Sequence, residues 1–334
     1  MKKLAIFIVF LFFVTPFLSG DGGIIPHHYE EVYESGQTAL ITYKNNKETI
    51  ILLVEVSGEE TEFMWIFPCP AVPEVDSANS YLFYELAEFS APRYVKRGWG
   101  GCCESSNHAE YPLGDKYDGK GEYNGVDPIS SGSIGFLDYE VLYTTESESL
   151  LSYLVDNGYS VPSNTEEIFQ FYIKKGWNYF IAAVCDTENA NWYTHGTNMQ
   201  PLEITFTINE PIYPLRISRL GSIDSEIVLY IVANNKKIFT DAEVKFAKRI
   251  SEETLNDLYY SKIPEFLWIG SFITKCYIFI EKNAMDDLVL KDASDNNEFR
   301  EIRFYSSVPY DAIILVCFFG IFWFYKKRLS KGEV

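Results

Sequence analysis

Hydrophobic and polar positions change period several times along the chain, and each change marks an element. Thr38–Tyr43, Thr49–Val56 and Phe63–Phe67 are rich in β-branched and aromatic residues, with Asn45-Asn46 and Ser57-Gly58 between them. That pattern predicts three strands of an antiparallel β-meander. Pro68, Pro70 and Pro73 then predict an extended exit from the sheet. Over 79–89, Leu82, Phe83, Leu86 and Phe89 recur at helical spacing and Pro92 lies just beyond, which predicts a helix. Residues 97–133 hold eight glycines and read as a long loop or insertion.

The segment 136–184 carries the densest signals. Phe136–Tyr143 reads as a strand. Thr145-Glu146-Ser147-Glu148 has the order of a capping box opening a helix to Asn157, with Leu150, Leu151, Leu154 and Val155 inward and Gly158 as its stop. A second helix is predicted from Thr165 to Lys175, burying Ile168, Phe169, Tyr172 and Ile173 and stopping at Gly176. Asn178–Val184, Leu202–Ile208 and Glu226–Ala233 read as strands, and Glu252–Tyr260 as a helix. Phe266–Ile280 is apolar but contains Gly270, Ser271, Thr274 and Lys275, so it reads as a buried strand or helix rather than a membrane span. The fold class expected is α+β: one composite domain with a β-meander and helix-containing segments. Two subdomains split near residue 135 are the alternative.

Both ends differ from this middle. Lys2 and Lys3 precede eleven apolar residues, Leu4–Val14, and small residues Ser19 and Gly20 come before Asp21. This is the order of a secretory signal peptide over residues 1–20. Residues 308–325 carry one charge, Asp311, and would span roughly 27 Å as a helix, near the ~30 Å of a hydrocarbon core. Tyr310, Trp323 and Tyr325 suit the interfaces, and Lys326-Lys327-Arg328 would hold the C-terminus in the cytoplasm. The expected topology is a signal peptide, an extracytoplasmic domain over 21–307, a transmembrane helix over 308–325 and a cytoplasmic tail over 326–334. The location expected is thus the cell membrane, single-pass.

Net charge is −19. Without the two ends, 22 basic residues face 45 acidic ones, a net of −23. Such a surface repels phosphate backbones, which excludes nucleic acid as a partner and disfavours anionic lipid across the middle region as a whole. Aromatic residues make up 16% of the chain, which excludes disorder as its general state.

Several segments together resemble the domain of unknown function 2330 family of secreted and membrane-anchored prokaryotic proteins. They are Asp21-Gly22-Gly23, Gly36-Gln37-Thr38-Ala39-Leu40, Phe63-Met64-Trp65-Ile66-Phe67-Pro68-Cys69-Pro70 with Pro73-Glu74-Val75, Leu154–Tyr159, Gly176-Trp177, Tyr213-Pro214-Leu215-Arg216-Ile217-Ser218 and Met285-Asp286-Asp287-Leu288. Cys69 departs from the pattern, where an aliphatic residue is expected. The resemblance covers roughly residues 21–295. It implies extracytoplasmic location and domain extent, and no activity.

Candidate chemistry centres on cysteine. Outside the C-terminal apolar segment lie Cys69, Cys102, Cys103, Cys185 and Cys276. In an oxidising compartment such thiols pair, and the expected disulfides join Cys102 and Cys103 to partners such as Cys69 and Cys185, clamping the 97–133 loop. A zinc site of Cys102, Cys103 and His108 is the metal alternative, although adjacent cysteines lack the usual ligand spacing. Asp115, Asp118, Glu122, Asn124 and Asp127 offer oxygen ligands to calcium without the EF-hand order. His27 and His28 with Glu30 and Glu31 read as solvated chain. Ser131-Gly132-Ser133-Ile134-Gly135 lacks the first glycine of a nucleophile elbow. No catalytic set and no dinucleotide or phosphate loop stands out, so no cofactor is expected. The reading is a non-enzymatic extracytoplasmic domain, anchored by its C-terminal helix, that binds another protein or a surface polymer. A cysteine- or metal-dependent enzyme centred on residues 97–133 is the alternative.

Overall fold

The computed structural model describes residues 23–26, 32–58, 62–96, 125–135, 137–186, 197–198, 201–221 and 223–305. In chain order these form β1 (Gly23–Pro26), β2 (Val32–Lys44), β3 (Lys47–Gly58), β4 (Glu62–Cys69), β5 (Glu74–Ser77), α1 (Tyr81–Phe89), β6 (Arg93–Lys96), β7 (Asp127–Ile134) and β8 (Leu137–Tyr143). Then come α2 (Ser147–Asp156), α3 (Thr165–Lys174), β9 (Tyr179–Asp186), β10 (Thr197–Asn198), β11 (Leu202–Thr207), β12 (Ile212–Tyr213) and a 3-10 turn at Arg216–Leu220. The chain continues through β13 (Ser225–Ala233), β14 (Lys237–Ile238), β15 (Glu243–Arg249), α4 (Glu252–Asp257), β16 (Phe272–Ile280), β17 (Leu288–Val289), β18 (Lys291–Asp292), β19 (Phe299–Arg300) and β20 (Ile302–Tyr305). The expected α+β class holds, with mostly antiparallel sheets and few helices, but the three-strand meander does not: β2 and β3 pair as a hairpin in one sheet, whereas β4 lies in the other between β1 and β9.

Two compact units divide the chain: residues 1–90 with 112–299, and residues 91–111 with 300–334. The first holds two large sheets. One runs β1-β4-β9-β8-β7, antiparallel throughout. The other runs β15-β16-β13-β2-β3-β11-β5, with β10 beside β3, and only the β13–β2 pair is parallel. Asn45 and Asn46, both at positive φ (54° and 60°), make the two-residue turn between β2 and β3 that the sequence predicts. Positive φ at both central positions gives the hairpin twist its right hand, and asparagine tolerates that conformation.

The alternation along β4 explains the layering. Phe63, Trp65, Phe67 and Cys69 join a core with Ile50, Leu52, Ile204, Leu229 and Ile231 of the facing sheet. Met64 and Ile66, one residue out of phase, pack instead with Leu150 and Leu154 of α2 and Ile168, Phe169 and Tyr172 of α3. On the far side of the second sheet, Leu40, Ile51, Tyr230 and Ile273 pack on Leu82, Phe83 and Leu86 of α1. The order of layers is therefore helices, sheet, sheet, helices. A strand buried on both faces reads as a continuous apolar run, and Phe63–Phe67 is one.

Several expectations need correction. Pro68 does not end β4, which runs on to Cys69. β1 pairs only with Phe63–Ile66, so β4 is an edge on that side at Pro68, where proline is tolerated. The loop expected over 97–133 ends in strand β7 from Asp127; residues 97–124 lie outside the described residues. Thr145 does not form the capping box. Thr144 Oγ1 takes the Glu146 N–H at 3.1 Å, and α2 has no side-chain cap bond. The buried face of α2 includes Ser147 and Tyr153 with Leu150 and Leu154, while Val155 is exposed, because sheet position rather than the helix pattern sets the rotation. The stops hold: Gly158 and Gly176 sit at φ 89° and 85°. Strand β15 carried no clear sequence signal. Phe272–Ile280 is a strand inside the large sheet, between β15 and β13. Among the described residues no helix is long and apolar enough to cross a membrane. Residues 1–20 and 308–325, which carry the signal-peptide and transmembrane expectations, lie outside them.

The second unit, in its described residues, is a ribbon. β6 and β20 pair in parallel, Ile302 opposite Arg93 through Tyr305 opposite Lys96.

Candidate functional site

Three segments far apart in sequence, each among those carrying the family resemblance, meet at one place. They are the end of α3 with Trp177, the 3-10 turn that starts at Arg216, and Met285-Asp286-Asp287. Asp287 is the hub. Its carboxylate accepts from Tyr172 Oη at 2.7 Å, Lys175 Nζ at 2.8 Å and the Arg216 backbone N–H at 3.2 Å. Tyr172 Oη in turn accepts the Ile217 N–H at 3.1 Å, and its ring stacks on Trp177 at 5.6 Å. Asp286 binds the Arg216 guanidinium through two bonds of 2.9 Å. That guanidinium lies 3.7 Å from the centre of the Phe171 ring, and Lys175 Nζ lies 4.3 Å from that of Trp177. Arg219 Nε donates to Met285 O.

Local sequence explains the convergence. Gly176 at positive φ reverses the chain after α3, so the Trp177 N–H returns to Tyr172 O at 2.9 Å. This puts Phe171, Tyr172, Lys175 and Trp177 on one knuckle. Pairing of β12 with β17 then brings the residues before Leu288 alongside those after Tyr213.

Electrostatics hold the Asp286–Arg216 pair in its charged form. Burial pushes the Asp286 carboxyl up, but the Arg216 hydrogen bonds, the Asp287 N–H and the charges of Arg216 and Arg219 outweigh it and hold it below the usual carboxylate range. The same bonds to Asp286 raise Arg216 above its ordinary value. The Asp286 and Asp287 carboxylates are already engaged by Arg216, Lys175, the Tyr172 hydroxyl and backbone N–H groups. The arrangement can clamp three segments.

The sequence-derived sites fall elsewhere. Cys69, Cys185 and Cys276 are free thiols, fully buried in β4, β9 and β16. Among the described residues no disulfide joins Cys69 or Cys185, and their expected partners, Cys102 and Cys103, lie outside the described residues. A bond between Cys69 and Cys185 themselves is excluded, because they stand opposite Tyr179 and Phe63, six positions apart on the β4–β9 ladder. That is about 20 Å, against the ~7 Å limit between bridged Cα atoms. Burial pushes the Cys276 thiol up to about 12 and those of Cys69 and Cys185 well above their ordinary value, which makes them poor nucleophiles and poor metal ligands. Cys102, Cys103 and His108 lie outside the described residues, as do Asp115, Asp118, Glu122 and Asn124. Among the described residues no three His, Cys, Asp or Glu side chains gather as a metal site.

Glu48 was missed by sequence reasoning. It follows the phase of Ile50 and Leu52 and is fully buried beside the inter-sheet core. Its carboxyl oxygens both lie 3.2 Å from the Ile212 N–H. Burial pushes its pKa well above the usual carboxylate range, against the lowering effect of the Ile212 bond. The folded protein thus holds Glu48 neutral at a pH where the unfolded chain has ionised, and stability falls as pH rises from the unfolded value toward the folded one. Glu48→Gln keeps an acceptor for Ile212 and removes this loss. The variant is expected to match the parent near pH 4 and to be more stable at pH 7, by on the order of 1 kcal/mol, in urea unfolding at the two pH values. Equal stability at pH 7 would place an ionised Glu48 in the fold.

Two stacked, mostly antiparallel sheets with helices on both outer faces, and a paired charge cluster at one knuckle, define an α+β protein with a structural clamp. The chain belongs to the domain of unknown function 2330 family, described as an uncharacterized protein conserved in bacteria, whose sequence model matches residues 16–263. That is about three-quarters of the chain, and it contains the Lys175 and Arg216 arms of the clamp but stops short of Asp286 and Asp287. No curated protein matches the chain. A solved structure, the crystal structure of baculovirus P35, aligns over 82% of this chain and 98% of its own at 10% identity, with a TM-score of 0.32. A likeness at that level carries no argument about fold or function.

Proposed function

We propose that this protein is a membrane-anchored extracytoplasmic domain that binds another protein or a surface polymer and catalyses no reaction. The observation that carries the non-enzymatic part is the clamp: where the family-like segments meet, the carboxylates are bound to cations or backbone. Support for the location comes from the sequence: a signal-like start, an apolar stretch at 308–325 and a basic cluster after it. The acidic surface favours a partner with basic character over an anionic one.

In a bacterial host, the full chain is expected to resist extraction by alkaline carbonate. Protease added outside spheroplasts should digest residues 21–307 and spare a tag at Val334. Release of the full chain by carbonate, or protection of the domain, would overturn the anchored topology. A complex retained after mild detergent extraction is the expected sign of binding. The enzyme alternative, centred on 97–133, would come forward if the purified chain carried stoichiometric zinc or calcium.

A further inference from the structure

The ribbon of β6 and β20 combines positive charge with exposed apolar surface. Its two strands hold Arg93, Lys96 and Arg303 and no carboxylate, a local net of +3 in a protein of net −19. Glu301 is already bound to Arg303 at 3.1 and 3.3 Å. Apolar and aromatic side chains stand exposed among these charges: Tyr94 at 60%, Ile302 at 52% and Phe304 at 61%. Register puts Arg93 and Ile302 on one face and Tyr94 and Arg303 on the other, so both faces mix cation and apolar surface. A two-stranded ribbon open on both faces is marginal in water. Exposed apolar side chains of this size mark a surface that is covered in use.

Chain geometry says by what. Only Ser306 and Ser307 separate Tyr305 from the apolar stretch that begins at Val308. Three residue steps reach at most about 11 Å. The headgroup layer outside a ~30 Å hydrocarbon core is itself roughly 5–8 Å deep. If 308–325 spans the bilayer, the end of β20 is held in or beside the headgroups. Tyrosine prefers that depth, and guanidinium groups bind phosphate through paired donors.

We propose that the β6–β20 ribbon lies within the headgroup layer of an anionic bilayer with lipid against both faces, its arginines on lipid phosphates and Tyr94, Ile302 and Phe304 at the level of the glycerol. The proposal rests on the anchored topology for its geometry. The chain-wide acidity that disfavours anionic lipid elsewhere confines lipid contact to this ribbon.

The test uses the full chain in liposomes of phosphatidylcholine alone or with phosphatidylglycerol. Carbonate resistance reports the span independently of the ribbon. The ribbon is read by Tyr94→Trp, as the added emission over the parent and its quenching by lipid brominated near the glycerol. Expected is quenching at least twofold stronger with phosphatidylglycerol. It should be lost in a background of Arg93→Glu and Arg303→Glu while carbonate resistance is kept, and weakened by salt as screening shortens toward 3 Å at 1 M. The proposal is overturned if acrylamide but not bromolipid quenches the added tryptophan, which leaves the ribbon in water. It is also overturned if neither does, which means protein covers it, or if quenching ignores lipid charge. If carbonate releases the chain, the anchor fails by itself, and bromolipid quenching of vesicle-bound protein still decides the ribbon.

Discussion

Trp65→Ala is expected to cost about 3–5 kcal/mol, the range for deleting a large aromatic side chain from a packed core. Trp65 is fully buried between the two sheets, on the inner face of β4, and stacks on Phe67 at 5.5 Å. β4 is bonded on both sides, to β1 and β9, so the backbone cannot collapse into the space left behind. Against a total stability of about 5–15 kcal/mol, a loss of this size leaves a marginal protein. Equilibrium unfolding of the detergent-solubilised chain measures it. A cost below about 1.5 kcal/mol would mean that the sheets close up and that the inter-sheet core is not the main source of stability.

Asp287→Ala is the second large effect, at about 2–3 kcal/mol. The Asp287 side chain is only 5% exposed, and its removal leaves Tyr172 Oη and the Arg216 N–H without their acceptor. Lys175 is 32% exposed and can turn to water, which keeps the cost below that of a fully buried pair. Asp286→Ala provides the control. That carboxylate is 56% exposed, and its loss should cost no more than about 1 kcal/mol although it makes two bonds to Arg216. If the two substitutions cost the same, the clamp is a surface ion pair and Asp287 is not its hub. A double-mutant cycle of Asp287→Ala with Tyr172→Phe should return a coupling near 1 kcal/mol.

The clamp was only half legible beforehand. Gly176-Trp177, Tyr213–Ser218 and Met285–Leu288 each stood out as family-like, yet nothing in one dimension joins them. A hydrogen bond between Tyr172 and Asp287 spans 115 positions, and such closure is set by how α3 and the β12–β17 pair pack on their sheet. Glu48 shows the opposite failure. A lone glutamate between Lys47 and Thr49 reads as a solvated strand residue, and its burial follows only from the second sheet lying over it. Of the cysteines singled out beforehand, Cys69 and Cys185 sit at opposite ends of one ladder with apolar neighbours, a burial that the sequence did not announce because it comes from the stacking of the two sheets.

What the sequence determined by itself is local. Asn45-Asn46 fixed a hairpin turn because few residues tolerate two positive φ angles. Gly158 and Gly176 ended their helices for the same steric reason. The apolar, aromatic run Phe63–Phe67 announced a strand, and the helix–helix stretch between β8 and β9 followed from its periodicity. Tertiary structure alone decided the stacking of two sheets, the parallel β13–β2 junction, the rotation of α2, the neutral Glu48 and the Asp287 hub. Each depends on which surfaces meet across long separations, and the free energy of those meetings belongs to the pair rather than to either segment.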